Sequence, residues 1–182
     1  IQLTNNQLIL DLPDLSQRLF DLDLVLRRQG SQRVIEADLV SHSSGTEIII
    51  LGQGIGNPFV AAKFSGELYV NVVKSDLEAL QAILPEDLGV RLTGAVALQA
   101  WFAWDRGKHT FTTEFIGQNL SIEKADQSWK VPLDFVSLKA SVQQHEDRWS
   151  LFTSELEVHN DGEQLLIPRL QVDGRGDSIR FR

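Results

Sequence analysis

Few residue groups in this chain have the types and spacing that chemistry needs. Gly52-Gln53-Gly54-Ile55-Gly56 follows the apolar run Ile48 to Leu51 and half resembles a dinucleotide-binding loop. That fingerprint needs a glycine at its sixth position and a helix behind it. Here the sixth position is Asn57, then Pro58, and the next segment reads as strand, so a loop or irregular strand is the better reading. The four histidines, His42, His109, His145 and His159, never fall at the i, i+4 spacing of a helical zinc pair, and they read as surface residues. Asp21 with Asp23, and Glu155 with Glu157, share the wet face of a strand. A glycosidase pair needs a cleft and a raised pKa on one carboxyl, and the sequence points to neither. Arg175-Gly176-Asp177 matches an integrin-binding tripeptide and Asn119-Leu120-Ser121 a glycosylation acceptor, but three residues recur by chance. There is no serine elbow, phosphate loop or metal motif. The sequence therefore predicts a chain that is not an enzyme, with no catalytic residue, no metal and no cofactor. A carbohydrate-active domain would have to show clustered carboxylates in a pocket with the Trp101 or Trp104 ring.

Composition narrows the classes further. The chain has 182 residues, 17 Lys and Arg against 25 Asp and Glu, and a formal charge of −8. That balance argues against a nucleic-acid partner, which needs a basic patch. Without cysteine there is no disulfide framework, thiolate nucleophile or Cys-based metal site. No apolar run approaches the roughly 18–20 residues of a membrane helix. The chain also lacks Met, and we read it as a piece of something longer.

The elements that must position any site are strands. Apolar residues recur with period two at Phe20, Leu22, Leu24 and Leu26, at Ile35, Ala37 and Leu39, and at Leu68, Val70 and Val72. The pattern continues at Leu92, Val96 and Leu98, at Phe111, Thr113 and Phe115, from Val136 to Val142, and at Leu156 and Val158. Successive strand residues point to opposite faces, so one face is apolar and the other wet. An antiparallel sheet tolerates that arrangement. Turn sequences rich in Gly, Asn and Asp, such as Gln29-Gly30-Ser31 and Asp161-Gly162, punctuate the runs at hairpin spacing.

One segment departs from the rhythm. Ser75 to Pro85 reads as a short helix, with Ser75 as N-cap, Glu78 at capping-box spacing and Leu77, Leu80 and Leu84 on one face. A second helical turn is expected at Asp14 to Leu19, after Pro13. In Leu98 to Trp104, Leu98, Phe102 and Trp104 share one parity and Trp101 has the other, so this strand is either covered on both faces, by the helix or a loop, or lines a site for an apolar ligand on one of them.

The predicted fold is mostly β: a long antiparallel meander curled into an open groove, as a folded-over sheet or half-barrel. One short helix lies near 75–84, and residues 1–182 form a single β-rich segment. One apolar face and one helix pose a problem. The sheet must fold on itself, close, or meet an apolar partner. An open seam would leave a groove suited to acyl chains.

Three stretches carry a family resemblance. They are Phe64-Ser65-Gly66-Glu67-Leu68-Tyr69-Val70-Asn71-Val72, Asp76-Leu77-Glu78-Ala79-Leu80, and Leu92-Thr93-Gly94-Ala95-Val96-Ala97-Leu98-Gln99-Ala100-Trp101. Together with Leu133-Asp134-Phe135 and Asp147-Arg148-Trp149-Ser150-Leu151, they resemble the YhdP-like branch of the AsmA-like family. The resemblance covers residues 15–182 and is strongest over 64–160. The chain departs from the family in being acidic where the family is often richer in arginine. The resemblance implies a periplasmic section of a bacterial envelope protein anchored in the inner membrane and reaching the outer membrane. Its β-sheet groove would guide phospholipids between the two, with neighbouring segments of the same chain at the sheet edges.

The candidate groove lining is Leu22, Leu24, Leu26, Ile35, Leu39, Leu68, Val70, Val72, Leu98, Phe102, Phe111 and Phe115. Leu77, Leu80 and Leu84 are candidates to cap it. The bland alternative for each lining residue is ordinary core between two sheet halves. The rival function is a structural β-sandwich interaction module of a larger envelope or surface protein.

Overall fold

A computed structural model describes residues 1–10, 18–42, 44–57, 60–77, 90–124, 127–145, 148–175 and 178–181. Twelve strands join in one antiparallel sheet. In chain order they are β1 (Gln2–Leu10), β2 (Arg18–Gln29), β3 (Gln32–Ser41), β4 (Glu47–Gly56), β5 (Phe64–Asp76) and β6 (Val90–Asp105). They continue as β7 (Lys108–Lys124), β8 (Lys130–His145), β9 (Arg148–Asn160), β10 (Glu163–Ile167), β11 (Leu170–Arg175) and β12 (Ser178–Phe181). Each strand pairs with the next as far as β9. There β10 and β11 share the outer side of β9, and β12 follows β11. The first and last strands do not pair, so the sheet stays open.

Local chemistry explains the meander. The β6–β7 turn places Arg106 (φ 48°) and Gly107 (φ 89°) between the partners Asp105 and Lys108. The β9–β10 turn places Asp161 (φ 51°) and Gly162 (φ 79°) between Asn160 and Glu163. Two consecutive positive φ values give the two-residue turn whose twist matches flanking strands.

Among the described residues the sheet has no second layer. Every pair of elements in substantial contact is a pair of hydrogen-bonded neighbours. The accessible surface is 12298 Å². A compact monomer of 20.4 kDa would expose about 8,800 Å². The sandwich architecture of the rival reading is therefore not formed among the described residues. The densest packing lies at one end of the apolar face, where Leu77, Val96 and Leu120 meet, with Leu92, Phe115, Leu133 and Val136 against them.

The helix near 75–84 needs a correction at its start. Ser75 and Asp76 are strand residues, paired with Val96 and Ala95. Ser75 is thus no N-cap; its buried hydroxyl lies 3.0 Å from that of Thr46. Of this segment, Leu77 alone has helical backbone among the described residues, and Leu80, Leu84 and the rest of 78–89 lie outside them. Of the turn expected at Asp14 to Leu19, Arg18 and Leu19 are already strand and 14–17 lie outside the described residues. The glycine-rich run Gly52 to Gly56 is strand throughout.

Candidate functional site

The site that the sheet builds is its apolar face. Cross-strand partners project to the same side, so the register can be followed strand by strand. One row runs Leu26, Ile35, Gly52, Leu68, Phe102, Phe111, Val142, Leu151 and Val172. The next runs Leu24, Ala37, Ile50, Val70, Ala100, Thr113, Ala140, Thr153 and Leu170. A third runs Leu22, Leu39, Ile48, Val72, Leu98, Phe115, Leu138, Leu156 and Ile167. All twelve candidate lining residues occupy these three rows. Eight strand spacings of about 4.8 Å make the stripe about 38 Å long, and rows two residues apart make it about 14 Å wide.

Burial separates this face from an ordinary core. Val72 is buried, Leu26 is exposed, and the other ten candidates are half-buried. Side chains between two packed layers are shut off from water, and among the described residues no side chain falls below 2% exposure. Water reaches the stripe because none of the described elements packs over it.

A fourth row borders the stripe: Arg28, Arg33, Gly54, Gly66, Trp104, His109, Gln144, Trp149 and Gly174. None of the four rows contains an Asp or Glu. An open hollow of about 890 Å³ sits at this border, lined by Leu26, Ile35, Leu68, Phe64, Trp104, His109, Arg28 and Arg33 among others. Phe64 and Trp104 form its aromatic wall, from which a chain of rings runs into the stripe. The Phe102 ring lies 4.7 Å from Phe111 and stacks on Trp104 at 5.8 Å, and Trp104 lies 6.3 Å from Phe64. Glycine makes room for that wall. A Cβ on Gly54 would come within 2.6 Å of the Phe64 ring, and one on Gly66 within 2.7 Å of both that ring and the Gln53 carbonyl oxygen. The run that half resembles a nucleotide loop instead lets a phenylalanine lie flat on the sheet.

The opposite face carries the charge. Asp21, Asp23, Glu36, Asp38, Glu155 and Glu157 all fall on it by register. Arg27 donates to Glu36 at 3.1 Å, and Lys139 sits 3.5 Å from Glu114. His42 and His159 each pair with a carboxylate, Asp21 and Glu157, at 2.7 Å. Among the described residues no cluster could hold a metal ion. Trp101 also lies on this face, and no second element covers it among the described residues. It is 39% exposed and packs sideways on Tyr69, with ring centroids 5.2 Å apart. A shallow hollow of about 620 Å³ there includes Trp101, Tyr69, Glu36 and Glu67. Glu36 is already engaged by Arg27.

Leu77 packs with Val96, Leu120 and the lining residue Phe115 at the far end of the stripe. Sequence reasoning missed Arg28, Arg33, Phe64, Ile48, Ile50 and Leu151 on the apolar face. Arg28 continues the parity of Leu22, Leu24 and Leu26, and that is the signal that could have placed it. The unbroken run Ile48 to Leu51 has no parity to read.

No family model, curated protein or solved structure matches this chain.

Proposed function

We propose that this chain is a non-enzymatic section of a lipid conduit, in which a periplasmic β-sheet groove guides phospholipid acyl chains between the inner and outer membranes. The observation that carries the reading is the apolar stripe, free of carboxylates across nine strands and covered by no second layer among the described residues. A hydrocarbon core is about 30 Å thick, so one acyl chain extends roughly half of that. The stripe exceeds this length, and a chain can occupy any part of it. Each CH₂ withdrawn from water contributes about 0.8 kcal/mol at full burial, and an open face recovers only part of it. Affinity is therefore spread along the rows, and a chain can slide while its head stays in water. Unpaired outer edges of the sheet suit continuation by neighbouring segments of a longer chain.

The test is to purify the chain, extract bound lipid and identify it by mass spectrometry. Co-purifying phospholipid, reduced by Phe102→Asp, is the expected result. Absence of lipid, together with an experimental structure whose interior is closed and filled, overturns the reading.

A further inference from the structure

Arg28 and Arg33 sit directly opposite each other across the β2–β3 ladder, one row beyond Leu26 and Ile35. Both line the 890 Å³ hollow at the border of the apolar stripe. Like charges placed directly opposite repel. Elsewhere the chain neutralises an arginine in this hairpin: Arg27, on the other face, pairs with Glu36. Among the described residues neither Arg28 nor Arg33 has a carboxylate within ion-pair distance. Each is held by a backbone carbonyl instead. Arg28 Nε donates to the Gly30 carbonyl at 3.0 Å, and Arg33 Nη1 donates to the Gly56 carbonyl. A carbonyl contact orients a guanidinium without cancelling its charge. Each guanidinium has five N–H donors, so most remain for a ligand. Glu67 and Arg27 also border the hollow, but by register both belong to the opposite face, Glu67 partnered by Gln53 and Ala103 and Arg27 by Val34.

Resting on the conduit reading, we propose that Arg28 and Arg33 form a docking point for the phosphate head of an anionic amphiphile whose tail lies on Leu26, Ile35 and Leu68. Charge complementarity names this occupant. The fork of a guanidinium matches phosphate oxygens two at a time. Two such side chains at partnered positions on the rim of one apolar hollow favour a ligand that has both parts. The anion also relieves the repulsion between the arginines. Both side chains are exposed, so the attraction weakens as salt rises.

The experiment measures binding of dodecyl phosphate, dodecyl maltoside and inorganic phosphate to the whole chain, each below micelle formation, by calorimetry at low and high salt. Dodecyl phosphate is expected to bind about tenfold tighter than dodecyl maltoside, and Arg28→Gln with Arg33→Gln to erase that difference while leaving the maltoside affinity unchanged. Arg28→Lys with Arg33→Lys should restore part of the preference. Equal affinity for the two amphiphiles, or an undiminished preference in the glutamine variant, overturns the docking point and leaves the groove standing. Inorganic phosphate binding as tightly as dodecyl phosphate shows a free-anion site and also overturns it. Binding of neither amphiphile removes the groove reading and this one together. Circular dichroism confirms that the variants retain the sheet.

Discussion

Phe102 on β6 and Phe111 on β7 are direct cross-strand partners, and their ring centroids lie 4.7 Å apart on the uncovered face. In a two-layer protein such a pair would be sealed by the opposing sheet. Here both rings stay half-exposed, tilted against each other at 40° along the sheet. That relationship sets what each variant on this face should do.

Phe102→Asp places a carboxylate between Phe111 and Trp104, where every neighbour in its row is apolar or glycine. Crosslinking of a photoactivatable phospholipid should fall severalfold. Leu26→Asp makes the same change at an exposed site, with little effect on folding, and should also reduce crosslinking. Ser141→Asp on the opposite face should not. Equal crosslinking in all three would show that the lipid does not use this face.

Gly66→Ala should destabilise the sheet. Its Cβ would meet the Gln53 carbonyl oxygen at 2.7 Å and the Gly54 Cα at 3.0 Å. Backbone cannot step aside as a side chain can, and overpacking of this kind costs about 1–3 kcal/mol. Urea denaturation should show the midpoint falling. An unchanged midpoint would mean that β4 and β5 can separate there without cost.

Removing the Arg27–Glu36 ion pair should matter little. The two side chains are 56% and 41% exposed, and exposed pairs are worth about 0–1 kcal/mol. Arg27→Gln should therefore leave the denaturation midpoint and dodecyl phosphate binding nearly unchanged. A loss of binding equal to that of the Arg28 and Arg33 variant would mean that overall charge, not the paired arginines, attracts the anion.

The outer side of β1 pairs with nothing in the sheet, and Ile9 there is 55% exposed. An unprotected edge of this kind templates further strands. Sedimentation should show concentration-dependent association of the chain, and Ile9→Lys should shift it toward the monomer. A chain that stays monomeric at high concentration would show that the edge is already protected.

Much of the fold was legible because strand parity is strictly local. Each run from Leu22–Leu26 to Val136–Val142 declared which residues share a side without reference to any partner strand. Turn residues declared where the chain reverses, since few residues accept the positive φ seen at Gly30, Gly107 and Gly162. The start of the helix was misplaced for a related reason. Ser75 has the right chemistry for a cap, but its pairing with Val96 after the irregularity between Val72 and Ser75 keeps it in the sheet. Propensity gave way to a tertiary ladder. Arg28 and Phe64 were passed over because a charged residue and a residue beside a loop do not stand out in an apolar count.

By itself, the sequence determined strands, hairpins and an amphipathic sheet, because alternation and turn chemistry act between residues close in the chain. Only the tertiary structure decided that the apolar faces of successive strands align into one stripe, that no second layer covers it among the described residues, and that two arginines stand opposed at its border. Those facts depend on register and curvature across residues far apart in sequence, where a shift of one position would turn every side chain to the other face.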